Sequence, residues 1–353
     1  GKDVTVDELK EKHKIVFLGV GAHKGRLLGC PGEEGSGVWT GTDYLHRVAD
    51  GEKVDVGKSS VIIGGGDTAI DAARAARRAG AEVTILYRRT RVEMPAIESE
   101  IEDALKEDIK IEYLVAPVEI KRDGDDVKAI VVQKMELGEP DDSGRRRPVP
   151  LEGSEYEIAV DSVIPAISQE ADWKGIESIG PEERWLSVDE SGKVRDGVFA
   201  GGDAIDLSIA TTAIGQGRVA ALGVHAELSG EKEVKDIRPD IPKERIKMEL
   251  EDVYPSKDKT QASHRPVEEW ISKPDDEITQ MISEEQFLEE MTRCFSCGQC
   301  FGCERCWMYC TPSCFAKVEN IVHGEPYYPV DLEKCDGCKK CGDECPCGFI
   351  DLV

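Results

Sequence analysis

Twelve of the 13 cysteines in this 353-residue chain lie after residue 293, and most of them fall into two runs of one spacing. The first is Cys300-x2-Cys303-x2-Cys306-x3-Cys310; the second is Cys335-x2-Cys338-x2-Cys341-x3-Cys345-Pro346. Steps of C-x2-C wrap one loop around three corners of a cubane cluster, and the fourth thiolate comes from the other run. On that rule Cys300, Cys303, Cys306 and Cys345 hold one [4Fe-4S] cluster, while Cys335, Cys338, Cys341 and Cys310 hold a second. Zinc ribbons also use C-x2-C pairs, but a four-ligand zinc site gains nothing from a third x2 step followed by x3. Dense C-x2-C runs in a chain this long read as metal ligands rather than disulfides. Cys294 and Cys297 continue the spacing backwards, as alternative ligands, half of a third site or spare thiols. Cys314 and Cys347 read as structural, and Cys30 stands alone in a loop.

The formal net charge is −26 and the isoelectric point is about 4.7. Nucleic acid is therefore excluded as a partner, since phosphate binding needs clustered Lys and Arg. The acidic surface suits solvation or the steering of a basic redox partner. No apolar run approaches the length of a membrane span. Thiolate-ligated clusters fit a reducing compartment, so a cytoplasmic location is expected.

A second signal lies upstream. Residues 59–71 read SSVIIGGGDTAID, an apolar run entering Gly64-x-Gly66-x-x-Ala69. A helical pattern follows up to Gly80, then a second apolar strand from Val83 to Tyr87. Strand, glycine turn, helix and strand are what a dinucleotide-binding βαβ unit requires. Gly64, Gly65, Gly66, Asp67, Thr68 and Ala69 form the candidate turn, with the pyrophosphate at the helix N-terminus. An NAD site places an acid at the end of the second strand. Here Tyr87-Arg88-Arg89-Thr90-Arg91 stands there, with no acid before Glu93. Guanidinium groups fit a 2′-phosphate, so NADP(H) is favoured over NAD(H), with Arg88 and Arg89 as ligands.

Glu98 to Glu107 reads as a helix, and extended stretches follow at 110–121 and 127–136 about the turn Asp123-Gly124-Asp125-Asp126. A polar loop is expected at 138–149 and another extended run at 155–160. Elsewhere KIVFLGVGA (14–22) and GVFAGGDAID (197–206) are strands ending in small residues, with a helix start expected at Thr211-Thr212-Ala213. A carboxylate beside glycines at a strand end, ahead of a helix N-terminus, suits ribityl or ribose hydroxyls and a pyrophosphate.

Taken together, FLGVGA (17–22), GGGDTAIDAAR (64–74), YRRTRVEMPA (87–96), LGEPDDSGRRR (137–147) and VFAGGDAI (198–205) resemble the small (β) subunit of glutamate synthase and its flavoprotein relatives. The resemblance implies two interleaved Rossmann-like domains, one holding FAD and the other, inserted into it, holding NADPH. It assigns Gly64, Gly66, Arg88 and Arg89 to the nicotinamide site, and Gly202, Asp203, Thr212 and Ala213 to the flavin site; Gly21, in FLGVGA, is a further cofactor-binding candidate. The family's opening GxGxxG strand is not in this sequence. The FAD domain is thus expected to be incomplete at its N-terminus and finished by the same polypeptide or a second chain. Ala166-Ile167-Ser168-Gln169 stands where relatives often carry a glycine. RCFSCGQCFGCERC (293–306) and ECPCGFI (344–350) are similar to a branch with an appended two-cluster ferredoxin, such as the iron–sulfur flavoprotein that partners dissimilatory sulfite reductase.

The expected organisation is α/β with a C-terminal α+β bacterial-type ferredoxin domain. FAD-domain segments lie at 1–56 and 166–228, the nicotinamide domain at 57–165, a connector at 229–290 and the ferredoxin module at 291–353. The expected function is electron transfer between NAD(P)H, FAD and two [4Fe-4S] clusters, to or from a redox protein or larger complex. A glutamate synthase subunit feeding an amidotransferase, or a relay with a vestigial nicotinamide site, are the alternatives. No acid–base residue is required, and His13, His23, His46, His225, His264 and His323 read as surface or structural.

Overall fold

The structure is a computed structural model that describes residues 3–140, 144–181, 184–230, 258, 260–291, 303–317, 328–345 and 350. It divides into two compact units, residues 1–235 with 266–276, and residues 236–265 with 277–353.

In the first unit, α1 (Val6–Lys12) starts at a capping box. Thr5 Oγ1 accepts the Glu8 N–H at 3.2 Å, and the Glu8 carboxylate accepts the Thr5 N–H at 2.8 Å. β1 (Val16–Leu18), β2 (Lys24–Gly25) and α2 (Gly41–Ala49) lead into β3 (Ser59–Ile63), α3 (Asp67–Arg78) and β4 (Glu82–Tyr87). Next come α4 (Glu98–Lys106), β5 (Lys110–Tyr113), β6 (Val115–Asp123), β7 (Asp126–Pro140), β8 (Arg146–Pro150) and β9 (Tyr156–Ala159). The chain returns through β10 (Ser162–Pro165), β11 (Gln169–Glu170), β12 (Lys193–Arg195), β13 (Val198–Ala200) and α5 (Ala210–Ser229). The short α6 (Val267–Ser272) completes the unit.

The central sheet is all parallel, in the order β10-β3-β4-β5. β10 and β3 are apolar runs buried on both faces, as a covered parallel sheet demands. Strand alternation splits β3: Ile62 faces the helices α3 and α4, while Val61 and Ile63 face the meander of β6, β7 and β9. The α3 face that meets the sheet is Ala69, Ala72, Ala73 and Ala76, all fully buried, and small side chains let the helix lie close. A separate three-stranded sheet pairs β1 in parallel with β13, and β12 antiparallel to it, over a third core of Val16, Leu18, Ile179, Leu186 and Val198. A ribbon of β2 and β11, with Gly25 opposite Gln169, pairs the segment after β1 with the segment after β10.

The expected loop at 138–149 is half strand. β7 runs on to Pro140 and pairs with β8, Leu137 opposite Pro148 and Pro140 opposite Arg146. The Arg146 side chain stitches the hairpin by donating from Nε to the Gly138 carbonyl at 3.0 Å. In the connector, α6 belongs to the first unit because Trp270 is buried there, 1% exposed. In the second unit, described residues form α7 (Glu284–Met291), α8 (Arg305–Met308) and α9 (Lys340–Glu344), with isolated bridges His264–Thr279 and Phe315–Val330.

Candidate functional site

The glycine turn follows β3 directly. Gly64 adopts φ +150°, and a Cβ there would lie 2.4 Å from the Ala166 carbonyl oxygen, so the position is closed to side chains. Its N–H donates to the Leu86 carbonyl at 3.1 Å, tying the turn to β4. Gly66 caps α3 without a side chain, and Ala69 is fully buried between helix and sheet. Asp67 is exposed; its Oδ1 accepts the Ile97 N–H at 2.9 Å.

That last bond belongs to a segment packed over the turn, a placement that the motif YRRTRVEMPA does not by itself reveal. Residues 93–97 lie across the turn: the Ala96 N–H donates to the Gly65 carbonyl at 3.2 Å, and Pro95 stands over Gly66. The Tyr87 hydroxyl donates to the Glu93 carbonyl at 2.7 Å, and Thr90 and Glu93 close a reciprocal cap. Hydrogen bonds from Thr90 hold the Glu93 carboxyl below the usual carboxylate range. The signal was present as Thr90-x-x-Glu93, a capping box.

The two arginine candidates are placed differently. Arg88 is exposed. Arg89 is 5% exposed, and its Nε donates to the Arg146 carbonyl of the β7–β8 hairpin at 2.8 Å.

The flavin-side candidates gather at the parallel ends of β1 and β13. Gly202 donates its N–H to Gln216 Oε1 at 2.8 Å, fastening the end of β13 to α5. Asp203 Oδ1 accepts the Ser208 N–H at 3.3 Å. Thr212 and Ala213 sit in the first turn of α5, which starts at Ala210, one residue before the expected start. A cavity of about 1100 Å³ brings both halves together, lined by Gly21, His23, His46, Thr68, Gln169 and Asp203 among others. Two of the histidines read as surface or structural, His23 and His46, thus border the site.

The remaining cysteines give a mixed picture. Cys30 is half-buried beside the meander core; burial and then the nearby Glu33 raise its thiol pKa. Cys294, Cys297, Cys300, Cys347 and His323 lie outside the described residues. In the second unit the two runs share one backbone pattern. Glu304 (φ 62°) follows Cys303 and Lys339 (φ 63°) follows Cys338, each a left-handed residue opening a short helix, α8 or α9. The Cys314 N–H donates to Cys310 Sγ at 3.2 Å. Among the described residues, however, no group of three or more Cys, His, Asp or Glu side chains is placed to hold a metal. The described thiols, as placed, do not converge on a metal.

Residues 1–217 match the family model described as pyridine nucleotide-disulphide oxidoreductase. The chain belongs to this family. Its dinucleotide-binding α/β fold is that of the family: FprA of Mycobacterium tuberculosis, solved in complex with NADPH, superposes with a TM-score of 0.53 at 19% identity, over 66% of this chain and 69% of that one. Among relatives in the family, the NADPH-Fe(3+) oxidoreductase subunit beta of Geobacter sulfurreducens is 40% identical over 235 residues, 58% of this chain and 35% of that protein. The small chain of glutamate synthase [NADPH] from Azospirillum brasilense is 36% identical over 247 residues, 64% of this chain and 51% of its own length. The chain thus spans about a third to a half of these family members. The resemblance to the glutamate synthase small subunit holds across the same stretch. No helix among the described residues is long and apolar enough to cross a membrane.

Proposed function

We propose that this chain is part of an iron–sulfur flavoprotein oxidoreductase that moves electrons between NADP(H), FAD and two [4Fe-4S] clusters, to or from a redox partner within a complex. The observation that carries the reading is one cavity bordered by Thr68 in the first turn of α3, just past the Gly64–Gly66 turn, by Gly21 beyond β1 and by Asp203 beyond β13.

The N-terminal amides of α3, reached through the Gly64–Gly66 turn, cradle the nicotinamide pyrophosphate. Arg88 meets the 2′-phosphate. Asp203 accepts from ribityl or ribose hydroxyls, and the first turn of α5 at Thr212 and Ala213 faces the second pyrophosphate. When bound, a flavin takes a hydride's two electrons together and gives them up singly. The residues present fit part of such a pocket. The clusters are supported by the spacing of Cys300, Cys303, Cys306, Cys310, Cys335, Cys338, Cys341 and Cys345 and by the repeated turns before α8 and α9. Relatives whose names carry NADPH support the coenzyme choice.

The test is anaerobic titration of the intact complex with NADPH and with NADH, following the flavin's visible absorption, together with iron and acid-labile sulfide analysis. Bleaching by NADPH ahead of NADH, and about eight irons in two cubanes, is expected. No bleaching by either coenzyme removes the flavin reading, and zinc in place of iron removes the clusters.

A further inference from the structure

Arg88, Arg89, Arg145, Arg146 and Arg147 are drawn to one corner of a chain whose formal net charge is −26. The bond that draws them is the Arg89 Nε donation to the Arg146 carbonyl at 2.8 Å. Arg89 is 5% exposed, so its guanidinium is spent inside the protein. Its own carbonyl accepts the Leu114 N–H at 3.1 Å, which fixes the backbone beyond β4 from the other side. Arg146 likewise turns back onto its hairpin, bonding the Leu137 and Gly138 carbonyls. Consecutive Cα atoms are about 3.8 Å apart. Arg145 and Arg147 therefore leave the main chain one residue either side of the carbonyl that Arg89 grips, and both are exposed. Arg88, the residue just after β4, stands where a βαβ unit meets the adenosine ribose.

We propose that the 2′-phosphate of the coenzyme is held by Arg88 together with Arg145 and Arg147 of the β7–β8 hairpin, and that Arg89 is a positioning residue that fastens the hairpin there. The inference rests on the reading of the Gly64–Gly66 turn as a nicotinamide-nucleotide site and deepens it. A phosphate dianion presented to two or three exposed guanidiniums gains charge-assisted hydrogen bonds that a bare hydroxyl cannot match.

Binding, rather than turnover, tests this. The probes are adenosine 2′,5′-bisphosphate and adenosine 5′-monophosphate, titrated calorimetrically into the intact protein as isolated. R145A/R147A is expected to weaken the bisphosphate about tenfold or more, the scale of one lost charge-assisted bond, while the monophosphate is unaffected. R145K/R147K keeps the charge and should recover most of the loss. R89K, which loses the Nε donor, is expected to lose bisphosphate affinity on its own and to add little to R145A/R147A, because both act on one hairpin. Unchanged bisphosphate binding in R145A/R147A, or equal losses for both probes, overturns the assignment; so does full additivity with R89K. Should the unmodified protein bind neither probe, the nucleotide site itself fails, a result distinct from failure of the hairpin.

Discussion

Gly65 lies so close to Tyr87 that a Cβ at Gly65 would sit 2.5 Å from the ring's Cδ2 and Cε2. The ring has no room to retreat, because Tyr87 is buried and its hydroxyl is tied to the Glu93 carbonyl at 2.7 Å. The middle glycine of the turn is thus set by the last residue of β4, and the same glycine's carbonyl anchors Ala96. Gly65→Ala must displace the ring and with it the segment at 93–97. Overpacking of this kind costs about 1–3 kcal/mol. We expect a lower melting temperature and weaker binding of adenosine 5′-monophosphate. Wild-type values for both would show that the ring yields freely.

Glu107 is 0% exposed and takes three arginines. Its Oε1 accepts from Arg74 Nε at 3.0 Å and from Arg78 at 2.9 Å, and its carbonyl accepts from Arg77 Nε at 2.8 Å. Removing one side of a buried pair leaves the other charge uncompensated, at a cost of about 3–5 kcal/mol. Glu107→Gln is therefore expected to lower the urea midpoint sharply. The exposed Lys121–Glu157 pair is the control: Glu157→Gln should leave the urea midpoint almost unchanged, because water and salt screen a surface pair. Equal effects from the two substitutions would remove burial as the reason.

Tyr44 is fully buried, and among the described residues its hydroxyl has no hydrogen-bond partner. Burial pushes its pKa up to about 12, from 10.0. The folded state then holds the proton more tightly than the unfolded state does. This stabilisation is fully present below pH 10 and is lost as pH rises through 12. Tyr156 is raised in the same way, by burial and by donating to Glu112, and contributes in the same window. Tyr44→Phe should flatten part of the alkaline fall in stability. At neutral pH it should be neutral or stabilising, because it removes an unsatisfied buried group. An unchanged alkaline limb in chemical unfolding at successive pH values would contradict this.

Legibility tracked how local each determinant is. β3, α3 and β4 were readable because Val61–Ile63, the alanines of α3 and Val83–Tyr87 carry period and turn chemistry within about thirty residues. Arg88 and Arg89 read as equivalent by residue type alone, but strand parity, continued past Tyr87, puts one out and one in. The β7–β8 hairpin reads as a loop because Gly138, Pro140 and Gly144 are turn residues. Its register comes from Arg146 bonding back across to β7 and from Arg89, 57 positions away. The strip at 93–97 lacks periodicity and shows its role only when Ile97 meets Asp67.

Trp270 stands between Glu269 and Ile271 in a proline-marked stretch, and Val267-x-x-Trp270-Ile271 is an apolar spacing too short to single out a helix by itself. In the fold its ring is 1% exposed, with the Arg74 guanidinium 5.9 Å and the Lys106 ammonium 5.8 Å from the ring centroid. The indole thus joins α6 to α3 and α4, and Arg74 is shared with the Glu107 network. Truncating a buried aromatic costs about 3–5 kcal/mol. Most of that loss should fall on α6, a six-residue helix too short to persist without its anchor. Trp270→Ala is therefore expected to expose the bonds after Glu268 and Glu269 to a glutamate-specific endoproteinase at an accelerated rate, while Trp270→Phe retains most of the protection. Cleavage of the alanine variant at the wild-type rate would mean that α6 is held by something other than the indole.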